Sequence, residues 1–251
     1  MRSYPRLRTM SPEGQTGVVK EIFTTAHDRY DFLNHLLSLR RDVGWRSFAV
    51  EKMRFPKTRR FLDVATGTGD LALAAAERWK DIRVTGVDFA EPMLEIGRVK
   101  VRARDLENRI QLLAGDALAL PFADGSFDVT AIAFGMRNIP DKQRALSEMA
   151  RVTVPGGQVM VLEMTFAPAP AFRLLYGLYI TAVLPRIARL FSRNAAAYGY
   201  LSDSIRTFPT PREFGRMMTA AGLRDVVYHG LTFGAAYLHV GRAPGRASGS
   251  G

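Results

Sequence analysis

Three carboxylates stand where three successive apolar runs end, and a carboxylate at the end of a strand can accept hydrogen bonds from a ligand. Asp63 lies in the run Phe61-Leu62-Asp63-Val64, just before a turn that holds Gly67 and Gly69. Asp88 closes the run Ile82-Arg83-Val84-Thr85-Gly86-Val87, and Asp116 follows the run from Ile110 to Ala114. The two glycines can take positive φ and leave no Cβ between main chain and ligand, while Ala72 falls on the small third position of a GxGxx(G/A) pattern. That pattern alone is a weak signal. Asp88, about 20 residues beyond the turn, is placed to accept from both hydroxyls of a ribose, which suits NAD and S-adenosylmethionine equally. Asp63 separates them: a carboxylate ahead of the turn would repel a pyrophosphate, yet it can sit beside the cationic methionine portion of S-adenosylmethionine. Asp116 could accept from an adenine amino group. Three acids so placed favour the cofactor with a cationic sulfur over a nicotinamide.

The elements that must position these acids are those of an α/β sheet. The alanine-rich stretch from Leu71 to Ala76 favours a helix after the turn, residues 92–107 read as a charged amphipathic helix begun by Glu91-Pro92, and residues 142–151 read as another. A fourth strand, residues 127–133, ends in Phe134-Gly135-Met136-Arg137-Asn138, and a fifth, residues 158–164, follows the expected turn Pro155-Gly156-Gly157. Both are continuously apolar, as in a parallel sheet covered on its two faces. Ligands in such sheets bind at the carboxyl ends of the strands, which places Gly135, Arg137 and Asn138 at the site. Residues 18–55 read as a helical lid, residues 211–222 as a last helix stopped by Gly222, and about 225–229 and 236–240 as a terminal strand pair. The segment 172–191 breaks the alternation: it is apolar, closed by Pro185, and surrounded by Arg173, Arg186, Arg189 and Arg193 without an acid. Such a segment suits a membrane interface; packing on the sheet or dimerisation would use the same apolar face.

The chain of 251 residues, 47% of them hydrophobic, suffices for one large domain with a proper core. It has no cysteine, which excludes disulfides, thiolate zinc sites, cysteine nucleophiles and cysteine-ligated iron–sulfur clusters. Methyl transfer would therefore be polar displacement, and no metal is expected. The net charge of +11 suggests an anionic partner, while 29 arginines against 6 lysines can also reflect compositional bias; residues 143–251 hold 12 arginines, no lysine and 5 acids. No aromatic–basic ribonucleoprotein motif accompanies that charge, so nucleic acid is not the expected partner. Arg2, Arg6 and Arg8 have no apolar run behind them, and no stretch reaches the roughly 18 apolar residues of a membrane span. The expectation is a cytosolic protein, or one bound at the inner face of the cell membrane, with flexible ends at 1–17 and 243–251 around one domain at 18–242.

From about residue 18 to residue 242 the sequence resembles the quinone C-methyltransferases of the UbiE/MenG type, within the class I S-adenosylmethionine-dependent methyltransferases. The motifs are Tyr30-Asp31-Phe32-Leu33-Asn34 with Ser38 and Trp45; Leu62-Asp63-Val64-Ala65 to Thr68-Gly69-Asp70; and Phe134-Gly135-Met136-Arg137-Asn138. Arg151-Val152 with Pro155-Gly156-Gly157 and Leu162-Glu163, and Tyr200-Leu201 with Ser204-Ile205-Arg206, complete the set. Asp42 stands where the family usually has histidine, Val154 where it has a basic residue, Thr165 where it has serine, Gly199 where it often has arginine, and Ala133 where a serine lies near the cofactor.

The resemblance implies a Rossmann-like, seven-stranded, mostly parallel sheet with an antiparallel last strand, an N-terminal helical lid and a helical insertion at 166–208. It implies C-methylation of a reduced prenylated quinone ring, demethylmenaquinol or a ubiquinone precursor, with S-adenosylhomocysteine as product. Cofactor contacts are expected from Tyr30, Asp63, Ala65, Gly67, Thr68, Gly69, Asp88, Asp116, Ala117 and Ala133. A ring carbon attacks only when the neighbouring hydroxyl is nearly deprotonated, so Arg137, with Arg206 and Tyr200 as second candidates, is expected to stabilise phenolate-like charge, and His27 is the nearest ordinary general base. The competing readings are the same chemistry on another lipophilic aromatic or isoprenoid acceptor, a nucleic-acid-modifying protein, and a non-catalytic scaffold.

Overall fold

The computed structural model describes residues 40–165 and 203–245, with Gly14, Gly17, Ser38 and Tyr200 besides. His27, Tyr30 to Asn34 and the segment 172–191 lie outside the described residues. Seven strands form one sheet: β1 (Arg60–Val64), β2 (Arg83–Asp88), β3 (Ile110–Ala114), β4 (Phe127–Ala133), β5 (Thr153–Met164), β6 (Arg224–Leu231) and β7 (Ala236–Arg242), in the order β3-β2-β1-β4-β5-β7-β6. All neighbours are parallel except β7, which runs antiparallel to both β5 and β6. Five helices are described: α1 (Arg41–Lys52), α2 (Asp70–Arg78), α3 (Glu91–Arg102), α4 (Lys142–Val152) and α5 (Pro211–Ala220). The strand order reverses between β1 and β4, which opens a crevice at their carboxyl ends.

Side-chain alternation divides the core into two layers. Phe61 and Val129 point to the face covered by α1, α2 and α3, where they meet Trp45, Ala49, Leu73 and Leu94. Leu62, Val64 and Ile132 point to the other, against Leu146 and Met149 of α4 and Phe214 and Met218 of α5. Burial of each such side chain contributes about 1.5–3 kcal/mol. The helices start where the sequence supplies donors or acceptors: Thr210 and Glu213 form a capping box at α5 with Pro211 behind it, and the Asp141 side chain caps α4.

The expected turn at Pro155-Gly156-Gly157 is instead part of β5. The register jumps from Phe127↔Thr153 to Val129↔Gln158, so these residues form an irregularity within one long strand. The glycines permit it: Gly156 has φ +78°, and a Cβ on Gly157 would lie 2.7 Å from the Asp128 carbonyl oxygen. The chain end closes the edge, with the Gly156 N–H donating to the Ala243 carbonyl (3.0 Å) and the Ala243 N–H to that of Gly157 (2.9 Å).

Helix α1 and the sheet are tied at both ends of the helix. Beyond its carboxyl end the Asp128 carboxylate accepts the main-chain N–H groups of Lys57 (3.0 Å), Thr58 (2.7 Å) and Arg59 (2.6 Å), fixing the approach to β1. Trp45 Nε1 donates to Thr232 Oγ1 at 2.9 Å, and Trp79 Nε1 of the α2 end donates to the Val50 carbonyl at 3.1 Å.

Candidate active site

The carboxyl ends of β1, β2, β3 and β4 surround a cavity of about 320 Å³, within the range of small-molecule sites. In β1, alternation puts Asp63 on the same face as Phe61, under α1 and α2. There Asp63 Oδ2 accepts from Thr66 Oγ1 at 2.7 Å and from the Ala72 N–H at 3.1 Å. Burial pushes the Asp63 carboxyl up to about 7, against the lowering effect of those two donors and of the Arg46 guanidinium. A carboxyl held near neutrality in a cavity gains most from a cationic ligand.

The turn after β1 is shaped by conformations that exclude ordinary side chains. Gly67 has φ +56° and Gly69 φ +80°; Gly69 caps α2 and its N–H donates to the Thr66 carbonyl at 2.9 Å. Two non-glycine residues share the left-handed region, Ala65 at φ 51° and Phe134 at φ 58°, one beyond each of the adjacent strands β1 and β4. Such strain is a common feature of ligand sites. Between them the backbones are packed so closely that a Cβ on Gly135 would lie 2.9 Å from the Ala65 Cβ.

Asp88 is oriented by the turn, since its Oδ2 accepts the Gly67 N–H at 2.8 Å and its Oδ1 the Ala90 N–H at 2.9 Å. Burial raises its pKa. Asp116, after β3, accepts the Leu118 N–H at 2.8 Å. Asp63, Ala65, Gly67, Thr68, Asp88, Asp116, Ala117 and Ala133 all line the one cavity, together with apolar Phe89, Met93 and Ile139. Gly69 shapes the turn without lining it, and Tyr30 lies outside the described residues.

The proposed catalytic group is dispersed. Arg137 is buried with its side chain 1% exposed, and it does not line the cavity. Its Nη1 donates to Glu163 Oε1 at 2.6 Å, and its main-chain N–H donates to Glu163 Oε2 at 3.0 Å. The guanidinium thus fastens the 3-10 turn Met136–Asn138 to β5, and the neighbouring Asn138 is the residue that reaches the cavity. Tyr200 meets that site through its hydroxyl, which donates to Asn138 Oδ1 at 3.3 Å. Arg206 is exposed and does not line the cavity, and His27 lies outside the described residues. Arg46 of α1 was not singled out from the sequence, yet it lines the cavity. Its signal there is Asp42 four residues earlier on the same helix, which accepts from Arg46 Nη1 at 2.6 Å while also accepting from Ser38 Oγ at 2.6 Å. Asp42 itself is buried in that network and does not line the cavity. No group of potential metal ligands occurs among the described residues.

A demethylmenaquinone methyltransferase of Thermus thermophilus is 49% identical over 223 residues, covering 89% of this chain and all of its own length. A ubiquinone/menaquinone biosynthesis C-methyltransferase of Geotalea daltonii is 43% identical over 224 residues, covering 89% of this chain and 95% of its own. Among solved structures, a methyltransferase of Thermotoga maritima described as S-adenosylmethionine-dependent and a possible histamine N-methyltransferase gives a TM-score of 0.63 at 22% identity, covering 89% of this chain and 99% of its own. The phosphoethanolamine N-methyltransferase 2 of Haemonchus contortus, solved with S-adenosylmethionine, gives 0.57 at 16% identity, covering 79% and 52%. Those two establish the class I methyltransferase fold. The model of the ubiE/COQ5 methyltransferase family matches residues 9–243, and with both relatives aligned over most of their length the chain belongs to that family.

Proposed function

We propose that this protein methylates a ring carbon of a reduced prenylated quinone, demethylmenaquinol first and a ubiquinone precursor second, with S-adenosylmethionine as methyl donor. The observation that carries the reading is the convergence of Asp63, Asp88 and Asp116 on one cavity in a chain of this family. The cavity fits that cofactor: the Gly67 backbone is open to a ligand, the donors on Asp88 leave lone pairs for ribose hydroxyls, and Asp63 awaits a cation. When bound, the cofactor supplies an electrophilic methyl group on a sulfonium sulfur. The chain's part is to hold, orient and dry the reacting groups.

In this reading Asp88 holds the ribose, Asp116 and Ala117 the adenine, and Asp63 the cationic end of the amino-acid portion. Phe89, Met93, Phe134 and Ile139 keep water from the methyl path. Asn138, turned by the Tyr200 hydroxyl, offers its amide N–H groups to the acceptor oxygen. Arg137 acts as a positioning residue through the turn it fastens, rather than by touching the acceptor. His27 and Tyr30 remain the proposed general base and methionine-end cover, and 18–242 the single domain with its lid and insertion. No helix among the described residues is long and apolar enough to cross a membrane. A prenylated acceptor dissolved in a bilayer must be met at its surface, which gives segment 172–191 a role in peripheral binding on the cytoplasmic side. Neutralising Arg186, Arg189 and Arg193 is expected to abolish sedimentation with anionic liposomes; unchanged sedimentation would remove that part of the proposal.

The test of function is incubation with methyl-labelled S-adenosylmethionine and a panel of reduced demethylated quinones. Label on demethylmenaquinol is expected. Cofactor binding with label on none of the quinones would transfer the reading to another lipophilic aromatic acceptor.

A further inference from the structure

The described lining of the cavity contains four aspartates, Asp63, Asp70, Asp88 and Asp116, and one cation, Arg46. Resting on the cofactor reading above, we propose that Arg46 anchors the α-carboxylate of the cofactor's amino-acid portion, and that Asp42 and Ser38 set the guanidinium in place for it.

The chemistry of such a ligand is lopsided: hydroxyls, an adenine amino group, a sulfonium and an ammonium all suit aspartates, while a single carboxylate does not. Beside aspartates that carboxylate gains nothing from its neighbours and requires a cation. Arg46 meets the requirement with little reorganisation. Its Nη1 is committed to Asp42 Oδ2 at 2.6 Å, whereas its Nη2 stands 3.5 Å from Asp70 Oδ2, beyond the usual length of a charge-assisted hydrogen bond. Asp70 does not depend on that contact, because Lys100 Nζ already donates to its Oδ1 at 2.8 Å and to Thr68 Oγ1 at 2.8 Å. The Arg46 Cζ lies 5.4 Å from the centroid of the Phe134 ring, so one face of the guanidinium is supported by an aromatic whose own backbone is held at φ 58°. A planar fork held at one arm and on one face has its other N–H groups left for a bidentate acid.

The rest of the network explains why the fork is held there. Asp42 is 1% exposed and receives Ser38 Oγ on one oxygen and Arg46 on the other. Trp45, next to Arg46 on α1, packs 6.1 Å from Phe134 and is tied to Thr232. Among the described residues, α1 therefore reaches the cavity by one polar side chain, and that side chain recognises the amino-acid end rather than the nucleoside. Asp42, which departs from the usual residue of the family, becomes the positioning group for a ligand contact.

The experiment is calorimetric titration of the full chain with S-adenosylhomocysteine and with 5′-methylthioadenosine, which keeps the nucleoside and sulfur but lacks the amino-acid carboxylate. Arg46→Met is expected to weaken S-adenosylhomocysteine by roughly 10- to 100-fold, the range for a hydrogen-bonded charge, and to leave methylthioadenosine within about twofold. Arg46→Lys should recover part of the loss. Because Arg46→Met removes an ion-pair partner from the buried Asp42, Asp42→Asn/Arg46→Met serves as the second variant, and the same selective loss is expected of it. Equal weakening of both ligands in the two variants would show a structural role, and unchanged S-adenosylhomocysteine binding would show none; either overturns the assignment while leaving the cofactor reading intact. A wild-type protein that binds neither ligand would overturn the cofactor reading, and the assignment with it.

Discussion

Asp63 is held in a state that its ligand should relieve. With burial raising its pKa to about 7, the free protein near pH 6 carries mostly the neutral acid, and binding an ammonium or sulfonium requires that proton to leave. Affinity for S-adenosylhomocysteine should therefore rise with pH up to about 7, by at most roughly tenfold per unit, and flatten above it. In Asp63→Asn the profile should be flat and the affinity at about pH 8 lower; titrations at three pH values decide it, and a sloping profile in the variant would assign the proton elsewhere. Asp63, Asp88 and Asp116 were legible in the sequence because each ends or follows an apolar run, and strand direction alone carries such residues to a common edge. Arg46 was not, because its place in the lining depends on where α1 docks. Nor was the burial of Arg137: position at the end of β4 is a local property, but which way the guanidinium turns is decided by Glu163, 26 residues later.

The element that converts this long-range partnership into structure is the turn Met136–Asn138, clamped between β4 and β5. Glu163 accepts both from the main chain of the turn and from the Arg137 guanidinium, with both side chains 1% exposed. Removing one partner leaves a buried charge, a change that costs about 3–5 kcal/mol, whereas removing both can be nearly neutral. Glu163→Gln should therefore lower stability by about that amount in urea unfolding. Arg137→Met/Glu163→Gln, which keeps an acceptor for the main-chain N–H groups of Arg137 and Met164, should recover much of it yet still lower methyl transfer, because the guanidinium no longer fastens the turn that presents Asn138. A double variant with full activity would show that the pair does nothing for the site. At the same scale, β5 illustrates what sequence cannot tell: Pro155-Gly156-Gly157 has the composition of a turn, and only its pairing with β4 and with Ala243 keeps it in the strand.

At the scale of the whole molecule, the alternation of apolar runs with helical stretches made the doubly wound sheet legible, and family resemblance supplied the reversed strand β7, which no local pattern marks. That strand carries another buried titratable group, one that does not line the cavity. His239 lies under α5, with Nε2 3.0 Å from the Pro211 carbonyl oxygen and the Phe214 ring centred 5.0 Å away, and burial pushes it down to about 4. A histidine neutral in the fold but protonated when unfolded below about pH 6.5 contributes stability that is complete above 6.5 and is lost as pH falls toward 4. Asp63 acts in the opposite sense, because a carboxyl raised from 3.8 to about 7 keeps its proton in the fold after the unfolded chain has released it. Its stabilisation is complete below 3.8 and is lost as pH rises toward 7. The two therefore offset one another across the acid range, and the wild-type stability curve should be shallow there. His239→Gln, which keeps a donor for the Pro211 oxygen, should shift the change in stability from about pH 7.5 to 4.5 by about 2–3 kcal/mol in favour of the acid side relative to wild type. Asp63→Asn should do the reverse and steepen the acid loss. Urea unfolding of the three proteins at those two pH values measures both effects, and parallel pH dependences in all three would show that neither group governs the acid stability of the fold.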